Sequence, residues 1–97
     1  MIIIPGTTPT IPFKTNVDLT GMEVILTIAQ REKSFDFYPT VINGNKFEVA
    51  LTQEDTLEFD HRYTALMQYR AMQNGKTVIK SSIAILPIGR ALSRKVM

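Results

Sequence analysis

The sequence predicts an all-β domain, and three observations carry that prediction. Residues 63–86 form two long runs in which apolar and polar side chains alternate, the period of a strand with one buried face. Asn74-Gly75 lies between them, a dipeptide that accepts positive φ at both central positions of a type I′ turn. Shorter alternating runs occupy residues 22–29, 34–38 and 46–51, each bounded by turn residues, and no helical period lasts beyond a turn or two. Elements of this kind bury their apolar faces as an antiparallel sandwich, immunoglobulin-like, with six or seven strands and one short helical turn. A small closed barrel is the alternative. The chain of 97 residues is read as one domain, 1–97, with loosely held ends at 1–5 and 90–97.

Taken in order, residues 1–12 hold Pro5, Pro9 and Pro12 among threonines. Proline lacks the ladder donor, so a strand here is an edge strand or one broken by a bulge, with Phe13 anchoring its end. Asp18-Leu19-Thr20-Gly21 reads as a turn. Met22, Val24, Leu26 and Ile28 then alternate with Glu23, Ile25, Thr27 and Ala29; both faces are apolar enough for a central strand. Residues 30–33 turn the chain into a strand carrying Phe35 and Phe37, whose ladder Pro39 limits. Asn43-Gly44 reads as a second Asn-Gly turn, leading into Phe47, Val49 and Leu51.

Thr52 with Asp55 three positions on has the form of a capping box, with Asp in place of the usual Glu or Gln. Leu57 and Phe59 can close that short helical turn onto the core as the chain crosses from one sheet to the other. The alternation assigns Val24, Leu26, Ile28, Phe47, Val49, Met67, Tyr69, Ile83 and Ile85 to the inside.

Composition narrows the function classes. No cysteine is present, which removes disulfides, thiolate chemistry and cysteine-based metal sites and suits a reducing compartment. The longest apolar run is too short to span a bilayer, so no membrane role is expected, and residues 1–4 lack the pattern of a signal peptide. Charge is uneven. Residues 1–60 hold all nine acids against four bases, a net −5, and residues 61–97 hold seven bases and no acid, a net +7. Interleaved strands would turn these into cross-strand pairs of opposite charge; otherwise the asymmetry polarises a surface.

Glu54, Asp55, Glu58, Asp60 and His61 bring acids and a histidine together within eight positions, the raw material of acid–base chemistry. Acids at the start of a helical turn cap it, and without a regular calcium-loop spacing or a glycine-rich loop the cluster is read as structural. No catalytic residue, metal or cofactor is therefore assigned. Lys76, Lys80, Arg90, Arg94 and Lys95 could track phosphates, with Tyr69 as a stacking ring, which makes nucleic-acid binding the alternative function. Tyr69 shares the apolar face of Met67 and Ala71, however, which assigns it to the core and makes nucleic acid the weaker partner. Gly6, Gly21, Gly44, Gly75 and Gly89 stand singly and form no phosphate-cradling loop.

Two sets of segments resemble known families. Gly6-Thr7-Thr8-Pro9-Thr10, residues 51–57, Gln68-Tyr69-Arg70 and Gly89-Arg90 are similar to small proteins of Firmicutes prophages. Asp18-Leu19-Thr20-Gly21 with its following strand, Glu54-Asp55, the strand from Tyr63 and Ser81-Ser82 resemble the N-terminal domain of phage baseplate upper proteins. The first resemblance implies no activity. The second implies a domain that docks a receptor-binding component onto a tail assembly, although no coiled coil follows within these 97 residues.

The resulting expectation is a non-enzymatic protein–protein interaction or assembly module of a phage or prophage tail or baseplate, present in the bacterial host cytoplasm during assembly, with retention in the finished virion left open. Its partners would be protein subunits of that assembly, further copies of itself included. The two ends supply the expected contact residues: Ile2, Ile3 and Ile4 in an apolar arm with no evident strand partner, and Arg90, Leu92, Arg94, Lys95 and Val96 in a basic tail.

Overall fold

The computed structural model describes residues 2–60 and 62–89. Their strands are β1 (Thr10–Lys14), β2 (Glu23–Gln30), β3 (Lys33–Phe37), β4 (Val41–Asn43), β5 (Lys46–Ala50), β6 (Ala65–Gln73), β7 (Lys76–Lys80) and β8 (Ala84–Leu86), with the helical turn α1 (Gln53–Leu57) between β5 and β6. They form two antiparallel sheets. The smaller has the order β1-β5-β4; the larger runs β3-β2-β6-β7, with β8 also on β6. Eight strands appear where six or seven were expected, because the return arm of the long hairpin is divided into β7 and β8 and residues 41–43 form a strand of their own.

One core lies between the sheets. Val24, Leu26, Ile28, Ala65 and Ala71 of the large sheet meet Ile11, Phe47 and Val49 of the small one. Phe13 stacks on Phe47 at 4.7 Å between ring centroids, and Tyr69 meets both rings edge-on at 5.6 and 5.2 Å. Met67 and Tyr69 pack against this core half-buried. β2 is central, as its two apolar faces require, and even Ile25 on its other face is only 6% exposed.

β1 is an edge strand, and its hydrogen-bond phase explains Pro12. Thr15 donates its backbone N–H to Asn45 O, and Pro9 O accepts from Leu51 N–H, so odd-numbered residues of β1 face β5. Pro12 stands at an even position, where the missing donor would point to the unpaired side.

The turns follow from local chemistry. Asp18 Oδ1 accepts from the backbone N–H of Thr20 at 3.0 Å and from its hydroxyl at 2.7 Å, while Gly21 takes φ of 80°. These bonds, the backbone one first, hold the Asp18 carboxyl below the ordinary carboxylate range. Their support persists above the ordinary aspartate pKa and is lost as pH falls through the lowered one. At the second hairpin, Asn43 pairs with Lys46, so the central residues are Gly44 and Asn45 and not Asn43 and Gly44. Gly44 takes φ of 62° at the first central position, where a type II′ turn wants glycine. Asn45 Nδ2 donates to Thr15 O at 3.0 Å and ties that turn to the end of β1.

Asn74 and Gly75 have φ of 53° and 77°, both positive as a type I′ turn demands. A Cβ on Gly75 would meet no neighbouring atom, so only the backbone conformation resists a side chain there. Gly75→Val is therefore expected to cost about 1–2 kcal/mol, read as a lower denaturation midpoint.

The capping box at α1 forms in full. Asp55 N–H donates to Thr52 Oγ1 at 3.1 Å, and Thr52 N–H donates to Asp55 Oδ2 at 2.8 Å. Thr56, fully buried, accepts from Gly6 N–H and donates to Thr7 O, which pins the N-terminal loop to α1. Phe59 closes onto the core; Leu57 stays half-buried.

Two expected core residues lie outside. Ile83 is 63% and Ile85 67% exposed, while Leu86 is 1% exposed. The cause is register, which shifts twice along the return arm. The first shift, at Val78 between the Met72–Thr77 and Ala71–Ile79 pairs, turns Ile79 inward; the second follows Lys80. Ile79 pairs with Ala71 and Lys80 with Arg70, but Ala84 pairs with Met67, so three return-arm residues oppose two of β6. Ser81 makes the slip. Its N–H donates to Tyr69 O, its hydroxyl accepts from Tyr69 N–H at 3.0 Å, and its own carbonyl accepts from Gln68 Nε2 at 2.8 Å. One extra residue moves every later side chain to the other face, which carries Leu86 and Ile88 in and Ile85 out.

The N-terminal arm does have a strand partner. Ile3 bridges Ile88 in parallel, donating its N–H to Pro87 O at 3.0 Å and accepting from Gly89 N–H at 2.6 Å. Ile3 is fully buried in the core, so it is not a contact residue of a free arm.

Candidate interaction surface

The slip at Ser81 and the docking of Ile3 together create an apolar outer face on the large sheet. Leu66 and Ile85 are direct cross-strand partners and stand 45% and 67% exposed. Beyond β8 the arm alternates about buried Ile3, and Ile2 and Ile4 turn outward at 63% and 42% exposure. Their side chains close over Gly89, where an added Cβ would lie 2.9 Å from Ile2 Cγ2 and 3.1 Å from Ile4 Cγ1. Ile2 and Ile4 thus keep the exposure expected of contact residues, whereas Ile3 anchors them. Arg90, Leu92, Arg94, Lys95 and Val96 lie outside the described residues.

Next to Leu66 the face dips into a depression of about 260 Å³ whose rim holds Thr27, Ala29, Arg70, Lys80 and Ile83. Arg70 and Lys80 are cross-strand neighbours of like charge. Arg70 Nε is buried without a hydrogen-bond partner among the described residues. The expected interleaving of opposite charges does not form: among the described residues no strand register pairs an acid with a base, and Lys14 even stands opposite Lys46. Asp36, on β3 at the far side of the same face, accepts from the Thr27 hydroxyl at 2.7 Å.

Two acids of the cluster serve the scaffold. Asp55 belongs to the capping box, and Asp60 pairs with Arg62 at 2.7 Å, raising the guanidinium pKa above its ordinary range through that hydrogen bond and the adjacent charge. His61 lies outside the described residues. Among the described residues no three metal-ligating side chains of the His, Cys, Asp and Glu kind converge, and no helix is long and apolar enough to cross a membrane.

A polar depression of about 350 Å³ does open beside the β2–β3 turn, lined in part by Glu58, Asp60, Arg31 and Tyr63. Four of its lining residues, Gln30, Arg31, Asp60 and Tyr63, are bonded to one another. The Gln30 side chain, itself buried, donates to Asp60 O and Tyr63 O and accepts from Asp60 N–H, fixing the loop after α1. Arg31 takes φ of 57° in the tight turn and lies 4.4 Å over the Tyr63 ring while donating to its hydroxyl.

Alternation along β6 already sets Leu66 on the face opposite Met67 and Tyr69, but sequence reading missed Ile85 as a surface residue because strand alternation carries no mark of a bulge. The signal available was Ser81-Ser82, two hydroxyls in the middle of a return strand that can replace ladder bonds with side-chain ones. No family model, no curated protein and no solved structure matches the chain.

Proposed function

We propose that this chain is a non-enzymatic protein–protein interaction module of a phage or prophage tail or baseplate assembly. In this reading its two layers around one core are immunoglobulin-like in architecture, while the strand order is its own. The observation that carries the reading is the apolar outer face of the large sheet, where Leu66, Ile85, Ile2 and Ile4 stand in water, with the Arg70–Lys80 pair further along the same sheet. A monomer gains nothing from such a face, and a protein partner that covers it gains apolar burial. The phage assignment rests on the segment resemblances and not on the face. It puts the protein in the bacterial host cytoplasm during assembly.

Co-sedimentation with tail particles from induced lysogens tests this. The parent chain is expected to travel with the particles, and a Leu66→Asp, Ile85→Asp variant of unchanged circular dichroism is expected to stay behind. Retention of the parent on DNA at moderate salt, lost on Arg70→Ala and Lys80→Ala, would instead favour the nucleic-acid function.

A further inference from the structure

We propose that the outer face of the large sheet binds a second copy of this chain, packed face to face about a two-fold axis that runs parallel to β2 and β6. The inference rests on the reading of that face as a contact surface and names its occupant. The face is polarised across its strands: Asp36 stands on β3 at one side, and Arg70 with Lys80 on β6 and β7 at the other. A two-fold axis between β2 and β6 lays β3 of each copy over β7 of the other and leaves the rows of residues in line. Asp36 shares a row with Thr27 and Gln68, and Lys80 lies opposite Arg70, two residues further along β6. That offset is roughly 7 Å at the strand rise, within the sweep of a lysine side chain between sheets stacked about 10 Å apart.

The same operation matches sizes. Leu66 of one copy comes over Ala29 of the other, because these two are cross-strand partners on the two central strands. A large side chain then fills the space over a small one, as interdigitated sheet faces require. Ile85, beside Leu66, extends the apolar strip toward β3 of the second copy. The arrangement also answers the like charges that stand side by side in the monomer: the neighbouring cations Arg70 and Lys80 receive a carboxylate. By symmetry each dimer contains this contact twice.

Sedimentation equilibrium of the full chain, over a concentration series, tests the proposal. The mass is expected to rise with concentration from 11.0 kDa toward twice that value. Lys80→Glu and Asp36→Lys should each raise the dimer dissociation constant about tenfold or more, and the double reversal should recover most of that loss. Leu66→Asp should give a monomer, with circular dichroism and unfolding midpoint checked on every variant. A parent chain that stays monomeric overturns the proposal, as does a dimer indifferent to the reversals or one lost on removing residues 90–97 alone. A monomeric parent that still travels with tail particles would defeat the self-contact and leave the assembly reading standing.

Discussion

Phe47→Ala is expected to lower the unfolding free energy by about 3–5 kcal/mol, measured by denaturant titration. Phe47 is 1% exposed on the inner face of β5, the central strand of the small sheet. Its ring stacks on Phe13 and takes Tyr69 of the large sheet edge-on, so truncation removes both an intrasheet and an intersheet contact. The loss adds the transfer of an aromatic ring to the cavity it leaves. Phe13 and Tyr69 are only half-buried and border a groove of about 460 Å³ between β1 and the Ser81 break, so partial collapse there places the cost toward the lower end of the range. A change smaller than about 1 kcal/mol would mean that the sheets do not meet at this ring.

Ile3→Ala should cost about 2–5 kcal/mol, close to a full core truncation, although it is only the third residue of the sequence. Ile3 is fully buried and its backbone is bonded on both sides to the segment of Pro87 and Gly89. Ile2→Ala and Ile4→Ala, on outward-facing neighbours, serve as controls and should stay within about 0.5 kcal/mol each. Equal and negligible effects at all three positions would describe a frayed arm, and the bridge to Ile88 would then be absent.

Much of the scaffold was legible because its signals are local. The Asn74-Gly75 turn, the Thr52–Asp55 box, the edge position of Pro12 and the two-faced apolarity of β2 each depend on residues within a few positions of one another. The features that were not legible are all long-range substitutions of one hydrogen-bond partner for another. Ser81 replaces a ladder carbonyl with a hydroxyl and inverts the later return arm. Thr56 reaches across 49 positions to Thr7, and Gln30 across 30 to Asp60. Asn45, a central residue of the Gly44 turn, reaches across 30 positions to Thr15. The candidate surface inherits this division. Ile2, Ile4 and Leu66 could be read as outward-facing from the sequence, while Ile85 could not, since its exposure depends on a bulge.

The exposure of that face hinges on which side of β8 points inward, and two adjacent substitutions decide it. Unfolding midpoints of Ile85→Asp and Leu86→Asp should differ sharply. Ile85→Asp puts a carboxylate into water at a position already 67% exposed, so the midpoint should barely move. Leu86→Asp puts one into the core opposite Ala65, where an unpaired charge and a lost leucine together should leave little folded protein. The reverse order, with Ile85→Asp unfolding the chain and Leu86→Asp tolerated, would restore the unslipped register and remove the apolar outer face on which the proposed contact depends.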